Sequence, residues 1–178
     1  MSAEAPGRRV EGNGSGSDGP AERIERGGGC GCGRVRYRLL DEPLIVHACH
    51  CRHCQRETGS AFALNALIET DRLEILRGEP ERIQTPSASG IGQGIERCPA
   101  CRVALFSVYG GVEAVRFVRV GTLDDPDSAP PDVHIYTATR LPWLALPEGV
   151  PSFPEYYDPE TVWPERSLER RRRYRATG

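Results

Sequence analysis

Short apolar stretches separated by turn-forming residues dominate the chain from about residue 34 to residue 136. In residues 34–39, Val35, Tyr37 and Leu39 alternate with three arginines, a pattern typical of a strand with one buried face. Similar apolar stretches predict further strands at 44–48, 61–68, 72–76, 81–85, 103–108, 113–120 and 133–136. Turns are expected at 41–43, 77–80 and 109–111, and a proline-rich loop at 124–132.

Helix is predicted at two places. One is a short turn over residues 52–58, and the other is the C-terminal stretch 164–178, with Pro164 at its start and Ser167 near its cap. Many short strands with little helix indicate a mainly β fold.

The expected organisation has three parts. Residues 1–23 are rich in glycine and serine and predict a disordered arm, with order beginning near Ile24. Residues 24–160 form the folded domain. Near its start, the glycines at 27–29 are expected to be a flexible approach to Cys30. Residues 161–178 form an arginine-rich tail, whose last fourteen residues carry six arginines against two glutamates. A solvated tail or a contact in an oligomer is the favoured interpretation, with a nucleic-acid or membrane contact as the alternative.

Composition narrows the function classes. The net charge is −2 and the pI is about 6.1, which argues against a chain built mainly to bind nucleic acid. All 23 basic residues are arginine, so Schiff-base lysine chemistry and a P-loop lysine are excluded. We find no apolar stretch of membrane-spanning length and no secretory signal in residues 1–20, and therefore expect a cytoplasmic, reducing compartment for the 7 cysteines.

The cysteines fall into groups with metal-ligand spacing. Cys30 and Cys32 form a CxC pair, and Cys98 and Cys101 form a CxxC pair. Two such pairs match a closed, structural Zn²⁺ site with four thiolates. The remaining group is a CxCxxC cluster of Cys49, Cys51 and Cys54. Three thiolates can hold a second zinc and leave one coordination position open for a substrate thiol, so these three are the candidate catalytic residues.

Other interpretations of the cysteines remain open. An iron–sulfur cluster is possible, whereas disulfides and a CxxC redox pair fit the expected compartment and fold poorly. His50 and His53 lie inside the second group and are expected to be spacers or neighbours of the ligands rather than ligands. His47 and His134 are expected to be structural.

Three segments resemble the glutathione-dependent formaldehyde-activating enzyme family, which shares its domain with centromere protein V. They are residues 29–37 (GCGCGRVRY), 49–62 (CHCRHCQRETGSAF) and 98–101 (CPAC), and later residues at 134–136, 140–143, 147–153 and 156–157 also match. The resemblance covers about residues 24–160 and includes all seven cysteines in order and spacing.

This resemblance implies a Mss4-like β fold that is stabilised by zinc. It implies a permanent zinc on Cys30, Cys32, Cys98 and Cys101, and a labile, catalytic zinc on Cys49, Cys51 and Cys54. The implied activity joins formaldehyde to glutathione as S-hydroxymethylglutathione, a carbon–sulfur lyase reaction. A non-catalytic, zinc-stabilised binding module with a basic tail is the alternative. The oligomeric state is not predicted.

Several further expectations concern single residues. The family commonly has glycine after the second CxxC, where this chain has Arg102, so a positive φ is expected there at a cost of about 1 kcal/mol. Candidates for binding the carboxylates of glutathione are Arg52, Arg56 and Arg140, although each is also explained as an ordinary surface residue. Trp143 is expected in the core, or else along the pocket.

Overall fold

Ten strands and two α-helices are present in residues 26–176, the part of the chain that the computed structural model describes. The predicted arm at 1–23 and the predicted start of order near Ile24 lie outside these residues. The strands are β1 (Arg26–Gly29), β2 (Arg36–Leu39), β3 (Ile45–Cys49), β4 (Ala63–Glu69), β5 (Leu73–Arg77), β6 (Glu81–Thr85), β7 (Gln93–Arg97), β8 (Ala104–Tyr109), β9 (Val115–Arg119) and β10 (Val133–Ile135). The helices are α1 (Arg52–Thr58) and α2 (Glu165–Ala176), and the prediction of a mainly β fold with little helix is confirmed.

The strands form two sheets. The smaller has the order β1-β2-β5, and the larger has the order β10-β3-β4-β9-β8-β7-β6. Neighbours are antiparallel except for β10, which runs parallel to β3 and pairs Ile135 with Cys49. On its other side β3 pairs Cys49 with Ala63 of β4. Cys49 therefore lies in the interior of the larger sheet.

Strands β1 and β7 were not predicted. β1 consists of Arg26 and the three glycines that the sequence analysis interprets as a flexible lead, and that interpretation is wrong. A side chain on Gly28 would come within 2.4 Å of the Tyr37 ring, so glycine allows β1 to lie directly against β2. In β7, a side chain on Gly94 would come within 2.7 Å of Arg82. In both strands a glycine allows the neighbouring strand to approach closely, although β7 also buries the β-branched Ile95.

Buried side chains form two clusters. The first joins the two sheets around Tyr37 and Phe106, whose rings pack edge to face at 4.9 Å, and it includes Cys30 and Cys98. The second lies on the other side of the larger sheet and contains Cys49, Cys51 and Cys54. Its outer boundary comes from the C-terminal region, through Tyr157, Trp163 and Leu168.

Helix α2 packs on the body of the protein, which corrects the expectation of a solvated tail. Arg170 is buried and forms an ion pair with the buried Glu69 of β4, at 2.8 Å from Nε and 2.5 Å from Nη2. Its Nη1 also donates to the Glu42 carbonyl at 2.8 Å. Since a paired, buried arginine fixes its helix in place, the described part of the C-terminal segment is integral to the fold. Neither α2 nor α1 is long and apolar enough to cross a membrane.

Candidate metal centres and cavity

The four-sulfur cluster, Cys30, Cys32, Cys98 and Cys101, joins the ends of two β-hairpins. The first pair follows β1 and the second pair follows β7. All four Sγ atoms lie within 4.8 Å of one another, with 3.5 Å between Cys30 and Cys32 and 3.8 Å between Cys32 and Cys98. Tetrahedral Zn–S bonds of about 2.3 Å place sulfur atoms about 3.8 Å apart. The cluster could therefore hold a metal ion of this type.

The two hairpin ends share one backbone design. Cys30 donates its N–H to the Val35 carbonyl at 3.1 Å, and Cys98 donates to the Val103 carbonyl at 3.0 Å. Gly33 has a φ of +70°, and Arg102, at the corresponding place in the second hairpin, has a φ of +62°. The positive φ predicted for Arg102 is thus confirmed.

The three-sulfur cluster, Cys49, Cys51 and Cys54, lies where β3 passes into α1. Cys49 ends β3, Cys51 is the N-cap of α1, and its Sγ accepts a hydrogen bond from the Cys54 N–H at 3.4 Å. All three side chains are buried, and their sulfur atoms lie within 4.8 Å of one another. Hydrogen bonds from the Cys49 and Cys54 thiols, helped by backbone N–H groups, lower the pKa of Cys51 well below its usual range. The pKa of Cys49 is raised, chiefly by its hydrogen bond with Cys51. Because the three sulfur atoms converge, the group could hold a metal ion.

None of the seven cysteines forms a disulfide. Within the described residues, the groups that could bind a metal are these two clusters, and neither includes a histidine. The structure thus brings together both sets of cysteines that the sequence predicts.

Three of the four histidines, His47, His50 and His134, are buried close to the second cluster, and the half-buried His53 lies in α1 and lines the cavity described below. His50 Nε2 lies 2.9 Å from Nδ1 of His134, and the two rings stack at 5.2 Å. Burial lowers the pKa of both, that of His50 to about 4. His47 lies 2.7 Å from the Tyr157 hydroxyl, which also accepts from the Trp163 indole N–H at 2.7 Å. These contacts agree with the expected structural roles, although His47 also lines the cavity described next.

A cavity of about 400 Å³ opens from the three-sulfur cluster. Its remaining wall comes from six strands, β3, β4, β7, β8, β9 and β10, from α1, from the loop between β6 and β7, and from residues that follow β10. Its larger side chains are apolar or aromatic: Ile91, Tyr109, Phe117, Ile135, Tyr136 and Tyr156. The four-sulfur cluster contributes none of the lining residues, so the two clusters differ in access.

Several residues predicted near the site lie away from this cavity. Arg52, Arg56 and Arg140 are absent from its lining, although Arg56 lines a smaller neighbouring cavity of about 250 Å³. Trp143 is 73% exposed and lines neither cavity, so both expectations for it are wrong. Trp143 lies in an irregular segment between β10 and α2, outside every strand.

The aromatic wall was not predicted from the sequence. Tyr109 and Phe117 pack edge to face at 4.8 Å, across β8 and β9, while Tyr136 and Tyr156 come from later irregular segments. Nothing in the local sequence pattern distinguishes these rings from ordinary core side chains. Tyr136 also has a φ of +56°, a strained conformation for a residue with a side chain.

Comparisons with known proteins relate the chain to one family. The sequence pattern of the family "Glutathione-dependent formaldehyde-activating enzyme" matches residues 25–139. A curated Halomonas elongata protein, which bears that family name provisionally, is 25% identical over 124 residues, covering 67% of this chain and 79% of its own. A crystal structure of a Rhodobacter sphaeroides protein aligns with a TM-score of 0.41 and 19% identity, over 55% of this chain and 87% of that chain. From the family match over most of its length, the chain belongs to the glutathione-dependent formaldehyde-activating enzyme family.

Proposed function

We propose that the protein is a zinc-dependent enzyme that joins a thiol to a small aldehyde, as in the formation of S-hydroxymethylglutathione from glutathione and formaldehyde. The observation that carries this proposal is that three buried thiols converge at one end of a cavity. The names of the family and of the Halomonas relative support glutathione and formaldehyde as the substrates.

In this proposal the two clusters have different tasks. Cys30, Cys32, Cys98 and Cys101 hold a structural zinc that joins two hairpins. Cys49, Cys51 and Cys54 would hold a second zinc, and such an ion would supply Lewis-acid chemistry that lowers the pKa of a substrate thiol. Cys49, Cys51 and Cys54 are thus the catalytic ligand set.

The remaining chemistry is a balanced addition. The thiol sulfur forms a bond to the carbonyl carbon, the π electrons of the C=O bond move to oxygen, and the thiol proton ends on that oxygen. The reverse reaction breaks the same C–S bond, which corresponds to carbon–sulfur lyase activity. The cavity wall contributes by excluding water and by holding the reactants in contact, and such positioning can supply several kcal/mol.

The ion pairs of α2 weigh against the alternative of a binding module with a basic tail. Four arginines that such a module would offer to an acidic partner are paired within the chain: Arg166 with Asp41, Arg170 with Glu69, Arg171 with Glu160 and Arg172 with Glu165. The free thiols also suit a reducing compartment such as the cytoplasm, which is part of the same proposal.

The test compares one cysteine from each cluster. We expect two zinc ions per wild-type chain by elemental analysis, and adduct formation faster than the spontaneous reaction. Cys51→Ser is expected to keep one zinc and a near-wild-type melting temperature but to lose the acceleration. Cys32→Ser is expected to lower the melting temperature instead, because the zinc that joins the two hairpins loses a ligand. Equal rates of adduct formation for wild type and Cys51→Ser would contradict the proposed enzymatic function.

A further inference from the structure

Apart from its three cysteines, the cavity beside the three-sulfur cluster has no permanently charged side chain in its lining. The described residues that line it include no arginine, aspartate or glutamate, and the chain has no lysine. Glutathione carries two carboxylates and an ammonium group. The carboxylates would meet no fixed positive charge among the lining side chains, and the ammonium group would meet only the cysteine sulfur atoms. The charged ends of a tripeptide therefore belong outside it, for example toward Arg56 in the neighbouring smaller cavity.

The size of the cavity also exceeds what formaldehyde requires. A volume of about 400 Å³ is in the usual range for sites that enclose organic ligands. Formaldehyde has two heavy atoms and would leave the aromatic wall without a contact. The rings of Tyr109, Phe117, Tyr136 and Tyr156 instead provide a surface that suits an apolar or aromatic group.

One polar atom in the wall, Oε1 of Gln93, lacks a hydrogen-bond partner in the described residues. Gln93 is 4% exposed, and its Nε2 donates to the Pro86 carbonyl at 3.2 Å, which fixes the orientation of the amide. Its Oε1 has no hydrogen-bond partner in the described residues, and Gln93 lines the cavity. A buried acceptor without a partner is costly, so a ligand that donates a hydrogen bond there would be favoured.

We propose that the cavity selects an aldehyde with an apolar substituent about the size of an aromatic ring, a substrate class that rests on the proposed function above. The thiol sulfur bonds to the aldehyde carbon, the C=O π electrons move to the oxygen, and the thiol proton ends there, which gives a hemithioacetal. Its substituent lies among the four aromatic rings, and its new hydroxyl donates to Oε1 of Gln93.

A binding experiment tests the apolar part without requiring catalysis. Benzyl mercaptan reproduces the sulfur, carbon and ring of the adduct, while 2-mercaptoethanol offers a thiol without a ring. Calorimetric titration of the zinc-loaded full chain is expected to give benzyl mercaptan an affinity at least tenfold higher. This preference should fall below threefold in Ala88→Trp, which fills the cavity, and in Tyr156→Ala, which removes part of its wall.

Trp143→Ala is the matched control, because Trp143 is an exposed aromatic residue outside the cavity. The tenfold preference should survive this change. Equal affinities for the two thiols, or a preference that survives both Ala88→Trp and Tyr156→Ala, would overturn the inference.

A rate measurement tests the hydroxyl contact. With glutathione as the thiol, phenylacetaldehyde is expected to show at least a tenfold greater kcat/KM than formaldehyde. Gln93→Leu should reduce the phenylacetaldehyde value about fivefold, whereas Gln84→Leu, at an exposed position of β6, should not change it. If the aldehydes react equally fast and the thiols bind equally, the proposed function stands and the substrate class fails. If benzyl mercaptan binds selectively but no aldehyde is accelerated, the proposed function fails and the apolar site stands.

Discussion

At the residue scale, each hairpin end that carries the four-sulfur cluster has a residue with positive φ directly after the second cysteine of its pair. Gly33 and Arg102 both have a positive φ, which glycine adopts without the steric conflict that a Cβ atom creates. Arg102 also pairs with Glu81 at 2.5 Å, with both side chains exposed. An exposed pair contributes little, so it does not offset the backbone strain.

Replacing Arg102 by glycine and by alanine separates these effects. Both changes remove the pair with Glu81, but alanine retains the strain. We expect Arg102→Gly to be about 1 kcal/mol more stable than Arg102→Ala in urea denaturation of the zinc-loaded protein. Indistinguishable unfolding midpoints would show that the turn relaxes around the Cβ atom.

At the element scale, α2 is attached by a buried ion pair. Because Arg170 and Glu69 are both buried, loss of Arg170 leaves the Glu69 carboxylate with only the longer contact to Arg72, at 3.7 Å. Arg170→Ala is expected to lower the free energy of unfolding by about 3–5 kcal/mol, measured by chemical denaturation. Arg172→Ala removes an exposed pair with Glu165 on the same helix and is expected to have no measurable effect.

The double variant Arg170→Met with Glu69→Leu provides the complementary measurement. Apolar side chains of similar volume can replace a buried ion pair without loss of stability, so most of the deficit should be recovered. A double variant as unstable as Arg170→Ala would indicate that α2 depends on these charges for its position rather than on burial.

At the scale of the whole molecule, unfolding is coupled to proton uptake by buried histidines. Burial holds the pKa of His134 below its usual value of about 6.5, to which it returns in the unfolded chain. The neutral side chain therefore contributes stability above about pH 6.5, and this stability is lost as the pH falls from there toward the lowered value. We expect the melting temperature to fall more steeply between pH 7 and pH 5 in wild type than in His134→Gln. Parallel curves would contradict a buried neutral His134.

Much of the fold could be predicted because its strands carry their own pattern. Val35, Tyr37 and Leu39 alternate with arginines, and the side chains of all three are buried in the first cluster. The glycines of β1 and Gly94 of β7 carry no such pattern, since what places them is a close contact with a neighbouring strand. The burial of Arg170 could not be predicted from the sequence either, because its partner Glu69 lies 101 residues away along the chain.

The candidate site also has a part that the sequence predicts, the cysteines, and a part that it does not, the cavity. The seven cysteines are visible from spacing because metal ligands must be close in pairs along the chain. The cavity cannot be recognised from the sequence, since its wall is assembled from six strands, the β6–β7 loop and the segment after β10. A tyrosine in a strand looks the same whether it faces a core or a ligand.

The parallel pairing of β10 with β3 has a consequence for how the molecule is made. A nascent chain that has been synthesised as far as Cys101 already contains every sulfur of both clusters. The four-sulfur cluster can close soon afterwards, once β8, which begins at Ala104, completes the second hairpin. The neighbour of Cys49 in the sheet is Ile135, and Tyr156 and Trp163 follow later still. Until those residues leave the ribosome, three thiols stand without their aromatic enclosure, which makes the interval between the two closures the time when they are most exposed to oxidants and to competing metals.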